Sequence, residues 1–253
     1  MISLKKTLIA LIPSYLRPRA ITHRRLERVA RGAVVLSGPF SGMKYVSQSV
    51  GSMWWPKILG TYELELAGII RGLCLARPGL VIDIGAAEGY YAVGMAWRCP
   101  EAQIISFEGE LLGRQLQAEL AALNGVSARV RIESHCDHRA LRTALARADN
   151  GIIICDIEGG ERTLLDPGSI PELTAGRWTL LVEIHDHISA DIASTLIDRF
   201  RSTHTIEEIV TRCRLSRDLP PAVRCSFLAR WTRPYMDERR PGPMRWLLLR
   251  PAA

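Results

Sequence analysis

Short apolar runs alternate with longer amphipathic segments from residue 80 onward. Apolar runs rich in β-branched side chains are typical of buried strands, and apolar residues spaced three or four apart are typical of helices. Repeated strand–helix units predict a doubly wound α/β domain around a mostly parallel seven-stranded sheet. The predicted strands are 80–85, 102–107, 130–134, 151–157, 178–184, 205–211 and 244–249, with helices at 61–75, 88–98, 111–123, 138–148 and 190–201.

The two ends of the chain depart from this rhythm. Residues 1–60 predict a basic helical N-terminal extension followed by an aromatic segment, and residues 61–253 predict the main domain. Within that domain, residues 212–243 are rich in Pro and Arg and interrupt the alternation before the last strand. This insertion is interpreted either as a surface excursion or as a lid that binds a substrate.

Charge is distributed unevenly around a formal net charge of +7. Residues 1–35 hold eight Lys and Arg against one acid, and residues 212–253 hold ten Arg against three acids. The stretch between them is acidic, with 15 basic and 22 acidic residues. This layout does not indicate a nucleic-acid-binding protein. It fits an acidic body with basic ends that meet an anionic substrate, lipid headgroups or the body itself, although membrane binding is not expected.

The six cysteines form no Cys-x-x-Cys pair, and no recognisable export signal precedes the domain. Scattered thiols of this kind are typical of a reducing compartment, so we expect a cytoplasmic protein.

An acidic residue stands at or just beyond the end of every one of the first five predicted strands. In an open parallel sheet, ligands bind beyond the carboxyl ends of the strands, where the winding reverses. The residues at these ends therefore become the candidate site: Asp83 with Gly85-Ala86-Ala87-Glu88-Gly89, Glu108, Cys136-Asp137, Asp156-Ile157-Glu158 and Glu183-Ile184-His185-Asp186-His187.

The glycine turn discriminates between nucleoside cofactors. Gly85 and Gly89 permit a tight turn and close approach of a ligand to the backbone. A dinucleotide site uses Gly-x-Gly-x-x-Gly to bring a pyrophosphate onto a helix N-terminus, but here Ala87 replaces the middle glycine. The carboxylate of Glu88 would repel phosphate and suit a cationic cofactor. Charge complementarity thus favours S-adenosylmethionine over NAD.

The segment Val81-Ile82-Asp83-Ile84-Gly85-Ala86-Ala87-Glu88-Gly89 resembles the first motif of class I S-adenosylmethionine-dependent methyltransferases. Asp156-Ile157-Glu158-Gly159-Gly160-Glu161 and the later Val182-Glu183-Ile184-His185 resemble the FkbM-type family more narrowly. The resemblance covers about residues 60–210 and implies a Rossmann-like methyltransferase fold. It also implies that Asp83, Gly85 and Gly89 hold the methionine end, Glu108 the ribose, and Cys136 with Asp137 the adenine. Ala86 and Asp156 complete the expected cofactor-binding set.

Two mechanisms for a hydroxyl acceptor remain open at this stage. His185 or His187 could act as a general base, because alternation places both side chains on one side of an extended chain. Alternatively, Mg²⁺ could be held by Asp156 or Glu158 together with Glu183, His185 or Asp186, and would lower the pKa of the hydroxyl.

The sequence therefore predicts an S-adenosylmethionine-dependent O-methyltransferase acting on a small molecule or glycan. The alternatives are an N- or protein methyltransferase, a non-catalytic nucleoside-binding scaffold protein, and, disfavoured by the glycine pattern, an NAD-dependent oxidoreductase.

Overall fold

The computed structural model describes residues 17–175, 177–224, 229–240 and 242–252. Its centre is a seven-stranded sheet, and the strands lie in the order β3-β2-β1-β4-β5-β7-β6. The first five strands pair in parallel, whereas β7 runs antiparallel to both of its neighbours. The strands are β1 Leu80–Ile84, β2 Gln103–Phe107, β3 Val130–Glu133, β4 Asn150–Cys155, β5 Arg177–Ile184, β6 His204–Val210 and β7 Arg245–Pro251.

Helices cover both faces of the sheet, so the described part of the chain has a buried apolar cluster on each face. The central strands are buried along nearly their whole length, as strands between two helical layers must be. The helices are α1 Pro18–Ala30, α2 Trp54–Leu59, α3 Ala67–Leu75, α4 Tyr90–Arg98, α5 Leu111–Leu123, α6 His138–Leu145, α7 Glu161–Leu164, α8 Glu172–Ala175, α9 Ile192–Phe200 and α10 Ala229–Thr232.

The structure confirms the predicted doubly wound, mostly parallel seven-stranded sheet. Each predicted strand has its counterpart, and no strand end differs from the prediction by more than two residues. None of the helices in the described ranges is both long and apolar enough to cross a bilayer.

Residues 54–75 differ from the prediction of one helix at 61–75. Helix α2 precedes it, because Pro56 lies in the first turn, where the missing N–H costs nothing, and Gly60 ends the helix in the left-handed region. Glu63 also has a positive φ of 42°, which delays the next regular helix to Ala67.

The predicted N-terminal extension and the insertion pack against each other. Residues 1–16 of the extension lie outside the described residues. Helix α1 contributes Leu26 to a small apolar cluster with Leu219, Val223 and Met236 of the insertion and Leu59 of α2. The ring of Trp55 also meets that of Tyr235 edge-on, with centroids 5.2 Å apart. The insertion is therefore packed onto the body over part of its length.

The turn after β1 lies directly against the end of the neighbouring strand β4. Gly85 has a φ of +84°, and a Cβ placed there would lie 1.7 Å from the carbonyl oxygen of Asp156 after β4. Glycine is required here because the backbone of the neighbouring strand end occupies the space that a side chain would need.

We predict that Gly85→Ala lowers the free energy of unfolding by roughly 2–5 kcal/mol, because a left-handed backbone and a clash with backbone atoms add together. Gly72→Ala in helix α3 is the matched control, since nothing lies within 4 Å of its added methyl group. That control should gain about 0.5–1 kcal/mol. Urea unfolding of both variants checks the prediction, and equal stabilities would contradict it.

Candidate functional site

A cavity of about 670 Å³ lies at the carboxyl ends of β1, β2, β4 and β5. We call this cavity the crevice. The side chains or backbone of Asp83, Glu108, Asp156 and His185 all line it. Strands β1 and β4 are neighbours in the sheet, so the crevice lies where the winding reverses, as the sequence predicted.

The glycine turn forms the floor of the crevice through its backbone. Gly85 and Ala86 line the cavity, and their N–H groups donate to the carbonyl oxygen of Phe107 at 2.9 and 3.0 Å. Gly89 lies away from the lining, and a Cβ there would meet the Gln117 side chain at 2.7 Å. The sequence predicted a tight turn and close approach of a ligand; both glycines have a positive φ, and packing within the protein already requires them.

Asp83 is the most deeply buried acid that lines the crevice, at 3% exposure. Its Oδ2 atom has no hydrogen-bond partner among the described residues. Burial raises the pKa of Asp83 to about 7, and the charge of Asp156 acts in the same direction. A buried, unsatisfied carboxylate oxygen at a cavity wall favours a cationic or N–H-bearing ligand.

Glu108 is held in one orientation by two backbone donors. Its Oε2 accepts from the N–H of Ala87 at 2.7 Å, and its Oε1 accepts from the N–H of Glu110 at 2.6 Å. Each oxygen retains a second lone pair, and the residue lines the crevice. The carboxylate is thus preorganised to accept hydroxyl groups.

Of the two residues expected at the adenine end, only one lines the crevice. Cys136 is buried and lines the crevice. Asp137 does not line it: its Oδ1 accepts from the N–H of Ala140 at 2.7 Å and caps helix α6. The prediction for Asp137 has to be corrected, because capping the helix directs that carboxylate to the helix N-terminus.

Glu88 also requires correction, because its carboxylate is fully buried away from the crevice. It forms an ion pair with Lys57, accepts from the Tyr45 hydroxyl at 2.7 Å and accepts from the N–H of Val50 at 3.1 Å. These partners neutralise and satisfy Glu88, so it cannot be the acid that repels a pyrophosphate. Its interactions tie α2 and residues 45–50 to the glycine turn.

His185 connects the crevice to a second, fully buried acid. Its Nδ1 lies 2.8 Å from Glu161 Oε1, while its Nε2 lies 3.3 Å from Glu158 Oε2 and 3.5 Å from Asp156 Oδ1. Burial alone would lower the pKa of His185, but the hydrogen bond to Glu161 and the charge of Asp156 raise it on balance. His187 is exposed and also lines the crevice, with its ring centroid 5.7 Å from that of His185.

Glu183 lies next to His185 and contacts Arg240 of the insertion. Its Oε1 accepts from Arg240 at 2.5 Å, and the same guanidinium forms an ion pair with Glu63. Burial raises the pKa of Glu183, and the charges of Asp156 and Glu63 raise it further. Glu183 is therefore a poor metal ligand here, contrary to the predicted set of Asp156, Glu183 and His185.

A different trio fits a metal ion better. One ligand atom each from Asp156, Glu158 and His185 lies within 4.8 Å of the others. Asp186, an alternative ligand, forms an ion pair with Arg245. The carboxylates of Glu158 and Asp156 also lie within hydrogen-bonding distance of the His185 imidazole. The two acids could therefore stabilise a protonated His185 without a metal ion.

Three functional residues were not predicted: Glu161, Arg240 and Lys57. Glu161 appeared only as part of the Asp156–Glu161 motif; it begins helix α7, and its Oε1 lies 2.8 Å from His185 Nδ1. The spacing of Glu161 from Asp156 is compatible with such a role. Arg240 and Lys57 come from segments whose approach to the crevice has no signature in the sequence.

Comparison with known proteins gives similarity in fold only. No protein-family model matches the chain, and no curated protein matches it in sequence. A putative O-methyltransferase from Klebsiella pneumoniae has a similar solved structure, with 15% identity, a TM-score of 0.46, and coverage of 98% of this chain and 96% of that one. TYW2 from P. horikoshii in complex with MeSAdo has 13% identity, a TM-score of 0.43, and coverage of 72% and 61%. TYW2 from M. jannaschii in complex with AdoMet has 14% identity, a TM-score of 0.43, and coverage of 69% and 68%.

The buried ion pair of Lys57 and Glu88 is expected to affect the free energy of unfolding. Lys57→Met should lower the free energy of unfolding by about 3–5 kcal/mol, because it leaves a buried carboxylate without a counter-ion. The double variant Lys57→Met/Glu88→Gln should recover part of this loss, since the remaining side chain is neutral. Chemical denaturation measures both, and a single variant as stable as the double variant would refute the assignment.

Proposed function

We propose that the protein is an S-adenosylmethionine-dependent methyltransferase that methylates a hydroxyl group of a small molecule or glycan. The observation that carries this proposal is the pairing of two carboxylates in one crevice: the unsatisfied Oδ2 of Asp83 and the preorganised Glu108. The first suits an ammonium group, and the second suits two ribose hydroxyls.

The charge of the crevice supports a cationic cofactor. Its lining holds six carboxylates, from Asp83, Glu108, Glu110, Asp156, Glu158 and Glu238, against three cations, from Lys57, Arg239 and Arg240. Lys57 is already paired with Glu88 outside the lining. A dinucleotide would bring two phosphates into this negative field, whereas a sulfonium and an ammonium group would be attracted by it.

The FkbM-type resemblance guides the choice of a hydroxyl acceptor. The bound cofactor would supply an electrophilic methyl group on a sulfonium, whose transfer forms an oxygen–carbon bond as the carbon–sulfur bond breaks. The protein must then align the acceptor, exclude water and accept the hydroxyl proton. Within the crevice, Asp83 and Glu108 serve binding, and Cys136 offers an apolar surface at the adenine end.

For the proton, we favour His185 as general base. Glu161 holds Nδ1, so Nε2 faces the crevice beside Asp156 and Glu158. The hydrogen bond to Glu161 and the charge of Asp156 raise the pKa of His185 above its ordinary value despite burial, so the imidazole is a stronger proton acceptor than a free histidine. The carboxylates of Asp156 and Glu158 stabilise the imidazolium that forms.

Mg²⁺ at Asp156, Glu158 and His185 is the second candidate mechanism, motivated by the convergence of their ligand atoms. It would polarise the acceptor oxygen directly. The non-catalytic scaffold alternative would bind the cofactor through the same crevice without turnover.

Cofactor binding is expected to depend on Glu108. Glu108→Ala should weaken S-adenosylmethionine binding about tenfold to a hundredfold, because charge-assisted hydrogen bonds to hydroxyls are lost. Glu101→Ala is the control, since this exposed acid precedes β2 at the opposite edge of the sheet. Isothermal titration calorimetry with thermal melts of both variants provides the measurement. Equal affinity in the wild type and Glu108→Ala would remove the ribose assignment.

Cofactor affinity should also follow the ionisation of Asp83. With a pKa of about 7, this carboxyl is largely protonated at pH 6 and largely ionised at pH 8, so a cation binds more tightly as the pH rises. We expect the Kd to fall by up to about tenfold over this range in the wild type. Asp83→Asn should flatten the dependence. An affinity that weakens with rising pH would contradict the proposed ammonium contact.

His185→Gln should lower kcat by about 10²–10⁴-fold with cofactor affinity unchanged, because only the proton acceptor is lost. His187→Gln, on the exposed neighbour, should retain most of the activity. The assay follows formation of the demethylated cofactor over a panel of hydroxyl acceptors, with and without EDTA. Loss of the wild-type rate in EDTA and its recovery with Mg²⁺ would replace the histidine mechanism by the metal mechanism.

A further inference from the structure

A second cavity, of about 620 Å³, lies within the insertion beside the crevice. We call it the arginine cavity, because its charged lining is dominated by guanidinium groups. Five arginines line it against the two carboxylates of Asp237 and Glu238: Arg212, Arg214, Arg230, Arg233 and Arg240.

Three of these arginines are already neutralised by acids. Arg212 forms two hydrogen bonds with Asp218, at 3.0 and 3.1 Å. Arg214 pairs with Glu65 at 2.6 Å and also with Glu238. Arg240 pairs with Glu63 and Glu183. These contacts build a fixed wall and use up the acids on that side of the cavity.

Arg230 and Arg233 are different. Both are exposed, and neither has a carboxylate partner among the described residues. The guanidinium of Arg230 lies 4.6 Å from the ring centroid of Trp231, an arrangement that orients the group without neutralising it. Arg230 lies on α10, and Arg233 lies on the short helical turn Arg233–Met236 that follows it. The cavity therefore offers two unneutralised cations close together in sequence and on one lining.

The arginine cavity is adjacent to the crevice. Glu238 and Arg240 line both cavities, so the two share one wall. Their charges are opposite: the crevice has an excess of carboxylates, and the arginine cavity has an excess of guanidinium groups. A cation is attracted to the first and an anion to the second, which would sort two different ligands into neighbouring positions.

We propose that the arginine cavity binds the anionic group, phosphate or carboxylate, of a small-molecule methyl acceptor whose hydroxyl reaches the crevice. This inference rests on the proposed methyltransferase function, and it names the acceptor as an anionic compound. Planar guanidinium groups bind phosphate and carboxylate in a bidentate manner. The volume is in the range of sites for small molecules. Arg230 and Arg233 are the residues that contact the anion, and Arg240 separates it from the cofactor.

The test uses the full chain and two probes, inorganic pyrophosphate for phosphate chemistry and citrate for carboxylate chemistry. Each probe is titrated by calorimetry with and without saturating S-adenosylmethionine. The variant is Arg230→Gln/Arg233→Gln, and the matched control is Arg71→Gln/Arg177→Gln, which removes two exposed arginines elsewhere. Thermal melts establish that both double variants are folded.

We expect at least one probe to bind the wild type, and to bind the Arg230→Gln/Arg233→Gln variant at least tenfold more weakly. The control variant should remain within twofold of the wild type, and S-adenosylmethionine affinity should remain within twofold in all three proteins. Which probe binds identifies the anion as phosphate or carboxylate. Saturating S-adenosylmethionine should tighten probe binding at least twofold, because a cation then lies behind the shared wall.

Failure of this inference and failure of the proposed function give different results. If S-adenosylmethionine binds but neither probe does, or if the probes bind the Arg230→Gln/Arg233→Gln variant as well as the wild type, this inference is overturned and the proposed function stands. Probe binding that is indifferent to S-adenosylmethionine would overturn the acceptor role. If S-adenosylmethionine itself does not bind the wild type, the proposed function is overturned, and the acceptor assignment is lost with it.

Discussion

The site depends on a group of carboxylates at the carboxyl ends of the central parallel strands, of which Asp83 and Glu108 are buried. Charged groups of one sign at the end of a parallel sheet repel one another more strongly than they would in water, because the surroundings have a low dielectric constant. Burial raises the pKa values of Asp83 and Glu183, and the charges of neighbouring carboxylates raise them further, so protonation of these two groups relieves part of the repulsion. A cationic ligand would relieve it further, because its charge is opposite to that of the lining.

Cations from segments outside the strand–helix units pair with buried acids next to the crevice. Lys57 comes from α2 and neutralises Glu88, and Arg240 comes from the insertion and contacts Glu63 and Glu183. The insertion therefore both completes the wall of the crevice and carries the basic lining behind it. The basic block at residues 212–253 supplies the arginines of the second cavity, next to the carboxylates of the crevice.

The architecture could be predicted from the sequence because strand periodicity and helix periodicity are local properties. Runs such as 80–85 and 178–184 are apolar on both faces and leave few alternatives to a central strand. The positions of Asp83, Glu108, Asp156 and His185 followed, since the carboxyl ends of parallel strands meet at one edge.

The roles of individual side chains were predicted less well, because they depend on partners distant in sequence. Glu88 was assigned to the ligand, but Lys57 and Tyr45 hold it elsewhere, 31 and 43 residues away. Asp137 was assigned to the adenine, although a local rule, helix capping by Asp, would have indicated its contact with Ala140. Helix α2 was not predicted, because residues 36–60 were assigned as an aromatic segment; a proline in the first turn, such as Pro56, is compatible with a helix.

The most direct measurement of the central claim is a side-by-side calorimetric titration of the wild-type protein with S-adenosylmethionine and with NAD at the same ionic strength. A crevice with a net negative lining predicts saturable binding of the sulfonium compound with one site per chain and no detectable heat from the dinucleotide. Binding of NAD in place of S-adenosylmethionine would contradict the account.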